Sequence, residues 1–167
     1  MKRLSLLFAL AVSPCLAQGV DPKLPAIPDA RLDQRILDRI AAPITNRAAL
    51  DEYARSLPAQ SPLMSLTKES RKEFLDSLVF TERGLASYQY VPLQKIDAAD
   101  AYRILALFGV QGSLAAIPGV NASSVDGRLV RAAMSKDPIM VDYPGYACVS
   151  KATCGDSRTS ICIGNNC

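Results

Sequence analysis

Apolar and polar positions follow helical spacing through the first part of the chain, and prolines divide this part into short segments. We predict a first helix over Ala30–Ala41, with Asp29 as its cap and Pro43 just beyond its end. Four apolar residues share one face of this helix, which we expect to pack against the core: Leu32, Ile36, Leu37 and Ile40.

Two further helices carry clear start signals. A helix beginning at Thr45 or Asn46 is expected to run to about Ser56. Thr67 is expected to cap a third helix over Lys68–Asp76, because a threonine hydroxyl can accept a hydrogen bond from the free amides of the first turn.

The spacing changes to a β-type pattern in the middle of the chain. The runs Ser77–Glu82 and Leu85–Val91 are rich in β-prone residues and flank Arg83-Gly84. This arrangement predicts an antiparallel hairpin.

After the hairpin, Asp97 is expected to cap a strongly apolar helix over Ala98–Phe108. Gly109 then suits the left-handed position just beyond the end of this helix.

The last third has weaker signals. Glycines and a proline interrupt Val110–Gly127, which favours a mobile loop, and a short helix is expected over Arg128–Ser135. Ile139–Val141 is predicted as a short strand beside the hairpin, and Asp142–Gly145 as a tight turn. Together these elements predict one helix-rich α+β domain over residues 29–145, with helices packed on a small antiparallel sheet.

The amino-acid composition is informative mainly because it excludes several kinds of functional site. The chain has 167 residues, of which 49% are hydrophobic and 21% charged, as in an ordinary single globular domain. It contains no His, so Ser-His and Cys-His catalytic pairs, His-ligated zinc and an imidazole pH switch are excluded. No cofactor-binding motif is found, and no cofactor or bound metal is expected.

The N-terminal segment Met1–Ala17 has the three-part layout of a secretory signal peptide, with a short apolar run at Leu4–Val12. We expect cleavage after Ala17 and export to the periplasm or beyond. A lipid-modified Cys15 is the alternative, and no later stretch is apolar enough for a membrane span. A proline-rich linker over 18–28 follows the signal.

Export also changes the charge. The signal removes Lys2 and Arg3, so the 19 basic residues become 17 against 16 acidic residues, a net charge of +1. A nearly neutral mature chain disfavours binding to nucleic acid through bulk charge.

Four cysteines remain after cleavage, all within the last 20 residues: Cys148, Cys154, Cys162 and Cys167. An even number in an exported chain predicts two disulfides, with three pairings open. A four-cysteine zinc site is the alternative, although the spacings are wider than such sites usually have. Since residues 146–167 contain few apolar side chains, we expect cross-links rather than burial to hold this tail in shape.

Two groups of side chains are candidates for contact with a partner. Three arginines recur at every fourth position and line one ridge of the first predicted helix: Arg31, Arg35 and Arg39. Four tyrosines lie on the predicted hairpin and beside the turn that precedes the cysteines: Tyr88, Tyr90, Tyr143 and Tyr146. The alternatives are a solvated helix face for the arginines, and a role in covering the core for Tyr88 and Tyr90.

The leading functional hypothesis is an exported, non-catalytic protein that binds an unidentified protein partner, for example as an inhibitor or immunity-type protein. One alternative is the precursor of a disulfide-rich peptide released from the C-terminus. The other is a small enzyme that works without His, for which Asp97 and Asp100, or a hydroxyl–amine pair at Ser65 and Lys68, are the nearest candidates.

Overall fold

The computed structural model describes residues 30–134 and 142–167, with side chains from residue 34 onward. The predicted signal peptide, the proline-rich linker and the predicted strand Ile139–Val141 lie outside these residues. So does the side chain of Arg31.

The described chain is an α+β structure in which helices precede and surround a four-stranded antiparallel sheet. The α-helices are α1 (Ala30–Ala41), α2 (Arg47–Arg55), α3 (Lys68–Asp76), α4 (Val91–Gln94), α5 (Ala98–Ala106) and α6 (Val125–Met134). The strands are β1 (Val79–Thr81), β2 (Gly84–Gln89), β3 (Asp142–Ser150) and β4 (Thr153–Ile163), in the sheet order β1-β2-β4-β3. Two 3-10 helices, Pro62–Ser65 and Gln111–Ala116, complete the described elements. The predicted fold class is therefore confirmed.

The predicted helix caps are confirmed at three positions. The side chain of Asn46 accepts a hydrogen bond from the Ala49 amide at 2.9 Å, and Thr67 accepts one from the Ser70 amide at 3.1 Å. Asp97 caps α5 as expected. Each cap satisfies a backbone donor that the first helical turn leaves without a partner, which is why these helices begin where the sequence indicates.

The core lies between the helices and strands β2 and β4. Phe74 of α3 is at its centre, with its ring 6.0 Å from those of Tyr88 and Phe108 in edge-to-face contacts. Ile161 and Ile163 of β4 are buried in the same cluster. Our expectation that cross-links rather than burial hold the tail was therefore incomplete, because the tail supplies a central strand with core side chains.

Two local predictions in the last third were wrong. The expected loop Val110–Gly127 contains the 3-10 helix Gln111–Ala116 and the start of α6, with Leu114 and Ile117 buried in the core. The expected turn Asp142–Gly145 is instead the first part of β3. Gly145 has φ +86°, which a glycine adopts without strain, and marks an irregularity in the strand rather than its beginning.

The hairpin formed by β3 and β4 folds back on itself. Cys154 and Cys162 both belong to β4, yet their Cα atoms are 6.1 Å apart, whereas a straight strand would separate them by about 26 Å. The pairing shows where the bend occurs: Pro144 lies opposite Ile161, but Tyr146 lies opposite Asp156. The part of the hairpin from residue 146 to residue 156 is hereafter called the folded-back tip.

Candidate functional site

Helix α1 lies with its apolar ridge in solvent. Ile36, Leu37 and Ile40 are 40, 57 and 73% exposed, although the sequence predicted that they would pack on the core. That prediction was wrong for these three residues, and the side chain of Leu32 is outside the described region. We call Ile36, Leu37 and Ile40 the α1 ridge.

The arginine side of α1 faces the protein instead. An added Cβ at Gly109 would lie 2.6 Å from the Cα of Arg39, and one at Gly112 would lie 3.6 Å from the guanidinium of Arg35. A Cβ added at Gly84 would lie 3.9 Å from the Cγ and Cδ atoms of Arg39. Three glycines therefore form the surface on which α1 rests, and the alternative of a solvated arginine face is wrong for Arg35.

A buried ion pair fixes this orientation. The guanidinium of Arg35 donates to both carboxylate oxygens of Asp142, at 3.1 and 2.7 Å. Burial raises the pKa of Asp142 above its ordinary value, and the neighbouring guanidinium opposes that shift. No periodicity could reveal Asp142 as a partner of Arg35, because the two residues are far apart in the chain.

Two of the four candidate tyrosines are core residues. Tyr88 is fully buried and its hydroxyl lies 2.7 Å from that of Ser113, while burial raises the Tyr88 pKa far above its usual value. Tyr90 is buried as well, and its hydroxyl donates to the carbonyl of Arg158 in the bend of β4 at 2.9 Å. The prediction that Tyr88 and Tyr90 contact a partner was wrong, because both side chains are buried.

The other two tyrosines are on the surface. Tyr143 and Tyr146 are exposed on β3, the strand at one edge of the sheet, and Val149 on the same strand is also exposed. These side chains are accessible to a partner, and Pro144 between them removes one donor from the strand backbone.

The four tail cysteines form two disulfides, Cys148–Cys167 and Cys154–Cys162. Together with Ala86 of β2 they make a second small buried cluster, to which Cys148 and Cys154 of the folded-back tip belong. The Sγ atoms of Cys154, Cys162 and Cys167 lie within 4.8 Å of one another, so the zinc alternative has the right grouping of atoms. In this structure, however, the sulfurs are bonded in pairs and serve as cross-links.

The acidic pair considered for an enzyme has structural partners. Asp97 accepts hydrogen bonds from the amides of Ala99 and Ser124, both at 3.0 Å, and from the Ser124 hydroxyl at 2.8 Å. These donors lower the Asp97 pKa to about 2, the Ser124 amide contributing most. Asp100 pairs with Arg103 at 2.9 Å. Asp97 therefore stabilises the starts of α5 and α6, and Asp100 forms an ion pair within α5.

The hydroxyl–amine pair is also divided between two elements. Ser65 ends the 3-10 helix Pro62–Ser65, whereas Lys68 begins α3 after the Thr67 cap. A Ser–Lys pair three positions apart can interact only if both residues lie on the same turn of one helix, and here they do not. Both residues are exposed.

Comparison with protein-family models, with curated proteins and with solved structures finds no match to this chain. Among the described residues, no helix has the length and apolar content needed to cross a membrane.

Proposed function

We propose that this chain is an exported, disulfide-stabilised protein without catalytic activity, which acts by binding another protein through the α1 ridge. The observation that carries this proposal is the orientation of α1. An amphipathic helix normally buries its apolar side, whereas α1 contacts the protein through Arg35 and Arg39 and leaves Ile36, Leu37 and Ile40 in water. Clustered exposed apolar side chains are typical of surfaces that a partner covers.

The helix is held firmly enough to present this ridge. The Arg35–Asp142 pair ties α1 to β3, and an amide of the following segment, that of Ile44, bonds to the carbonyl of Leu107 at 3.0 Å. A preorganised helix loses little conformational freedom on binding, which favours recognition in the helix-in-groove manner.

The precursor alternative has less support. Strand β4 lies between β2 and β3, and Ile161 and Ile163 belong to the main core. Release of the C-terminal tail would therefore remove a central strand and expose the apolar core beneath it.

The test places a photo-crosslinking residue at Leu37 in the protein as it is produced in its native host. The control carries the same residue at Arg55, which is exposed on α2. We expect one protein to be captured from Leu37, and we expect Ile40→Asp to abolish that capture without changing the circular dichroism spectrum. Equal capture from Leu37 and Arg55 would overturn the proposed role of the ridge.

Export is tested separately by the intact mass and thiol content of the natively purified chain. We expect a chain that begins at Gln18 and has no reactive thiol. Four reactive thiols, or recovery of the chain from the cytosol, would contradict this part of the proposal.

A further inference from the structure

A small cleft lies where α1 meets the C-terminal turn. Its lining includes Arg35 and Arg39 of α1, Gly109 and Gly112 after α5, and Asn165 and Asn166 near the chain end. The cleft has a volume of about 40 Å³, which is room for about three water molecules. A single carboxylate or phosphate group fits within this volume.

Among the residues that the structure describes, the charges around the cleft do not cancel. Arg35 is neutralised by Asp142, but no carboxylate of the described residues lies within 4.0 Å of the Arg39 guanidinium. Arg83, in the turn between β1 and β2, donates to the carbonyl of Asn165 at 3.4 Å and likewise has no acidic partner among those residues. Arg39 therefore lines the cleft without an acidic partner among the described residues, and Arg83 places a second such charge next to Asn165, which also lines the cleft.

The acidic groups nearest in the chain are already engaged elsewhere. Asp38, next to Arg39, accepts a hydrogen bond from Gln34 at 2.7 Å on the exposed side of α1. Glu82, next to Arg83, pairs with Lys151 at 3.5 Å. Arg39 is half-buried with its aliphatic part against Gly84, and a guanidinium without a counter-charge can bind an anion through charge-assisted hydrogen bonds.

The cleft is also rigid. The side-chain amide of Asn166 donates to the carbonyl of Leu85 at 2.8 Å, and the carbonyl of Asn166 accepts from Thr81. These bonds hold the C-terminal turn against the sheet. The side chain of the neighbouring Asn165 is exposed and has no hydrogen-bond partner among the described residues, so its amide can donate to a ligand.

We propose that the cleft between α1 and the C-terminal turn binds one oxyanionic group, carboxylate or phosphate, through the guanidinium groups of Arg39 and Arg83. The planar fork of arginine suits both kinds of group, because it can donate two parallel hydrogen bonds to adjacent oxygens. Ile36 of the α1 ridge also lines the cleft, but the proposed contacts are made by arginines, so occupancy of this site does not depend on the proposed function.

Two-dimensional ¹⁵N NMR of the mature, oxidised protein tests the proposal. Inorganic phosphate and N-acetyl-glutamate amide are titrated in separate arms, with chloride at matched ionic strength as the reference. We expect saturable shifts at Gly109 and Gly112 and in the side-chain amide of Asn165. Saturation by phosphate alone identifies a phosphate site, and saturation by the glutamate compound alone identifies a site for an acidic side chain.

Variants complete the test. Arg39→Gln and Arg83→Gln are each expected to weaken binding about tenfold, the effect of losing one charge-assisted hydrogen bond. Arg83 is exposed, so its replacement leaves the fold intact even if that of Arg39 does not. Arg55→Gln, on α2, is the matched control and is expected to bind as the unmodified protein does. Shifts that rise linearly in both arms, or unchanged titrations in the Arg39 and Arg83 variants, would overturn the proposal.

Discussion

Arg35 and Asp142 are 107 positions apart in the chain and form a two-bonded ion pair that joins α1 to the first residue of β3. Their side chains are 20 and 3% exposed. Because the apolar ridge of α1 contributes little to burial, this pair and the three glycines beneath the helix determine which side of α1 faces the protein.

Replacing Arg35 is expected to destabilise the fold substantially at neutral pH. In Arg35→Gln the carboxylate of Asp142 loses its counter-charge in a buried site, which costs about 3 kcal/mol. Urea unfolding at neutral pH measures this loss. The matched control is Arg55→Gln, whose exposed pair with Glu52 contributes about 0.5 kcal/mol or less.

The same variant is expected to show a changed pH dependence. The pKa of Asp142 is raised in the folded protein, so its titration favours folding at low pH and this benefit is lost as the pH rises through the folded pKa. Without Arg35, which opposes the effect of burial, the pKa of Asp142 should rise further. The deficit of Arg35→Gln should therefore shrink as the pH falls below neutrality, and a deficit that stays constant down to about pH 4 would contradict this explanation.

Asp97 is expected to stabilise the protein through two helices at once, since it accepts hydrogen bonds at the start of α5 and of α6. Its pKa is lowered to about 2 from an ordinary 3.8, so the stabilisation is complete above pH 3.8 and is lost as the pH falls through about 2. Asp97→Ala should lower the thermal midpoint at neutral pH and flatten its fall in acid. Asp126→Asn, at an exposed carboxylate of α6, is the control, and parallel acid profiles for Asp97→Ala and the unmodified protein would exclude this role.

Gly127 is expected to be intolerant of a side chain because of Asp97. An added Cβ would lie 2.2 Å from one carboxylate oxygen of Asp97, a distance that no real contact reaches. Gly127→Ala should cost about 1 to 3 kcal/mol, although alanine is the better helix former. Combining it with Asp97→Ala removes the clash, so the double variant should be no less stable than Asp97→Ala alone. Additive losses in chemical denaturation would show that Gly127 is needed for another reason.

Local signals were sufficient to place α2, α3 and α5 and their first turns. Asn46, Thr67 and Asp97 each provide a cap within three residues of the amide they satisfy, so a short window of sequence contains both partners. Arg35 and Arg39 are four positions apart, which likewise indicated that they share one side of the helix. In the structure both side chains line the same cleft.

The side of α1 that faces the protein could not be predicted in the same way. Its apolar pattern favours burial of Ile36 and Ile40, and only distant residues, Asp142 and the glycines, reverse that preference. Asn165, which lines the cleft, and Arg83, which donates to its carbonyl, carry no pattern that would pair them, because the sheet and the C-terminal turn bring them together. The folded-back tip depends in the same way on which cysteines pair.

Removing the Cys154–Cys162 disulfide is expected to free the folded-back tip while leaving the core folded. This bond connects two points of the bend in β4, and Cys148–Cys167 still ties the tip to the chain end. In Cys154→Ser/Cys162→Ser, hydrogen exchange should therefore accelerate in residues 146–156 and remain slow in β2 and α5. In Cys148→Ser/Cys167→Ser, which opens a longer loop, the unfolding free energy should fall by about 3 kcal/mol and the C-terminal turn should also exchange faster. If exchange accelerated equally across the whole chain in the first variant, the tip and the core would have to unfold as one unit, because a local release cannot expose amides of α5.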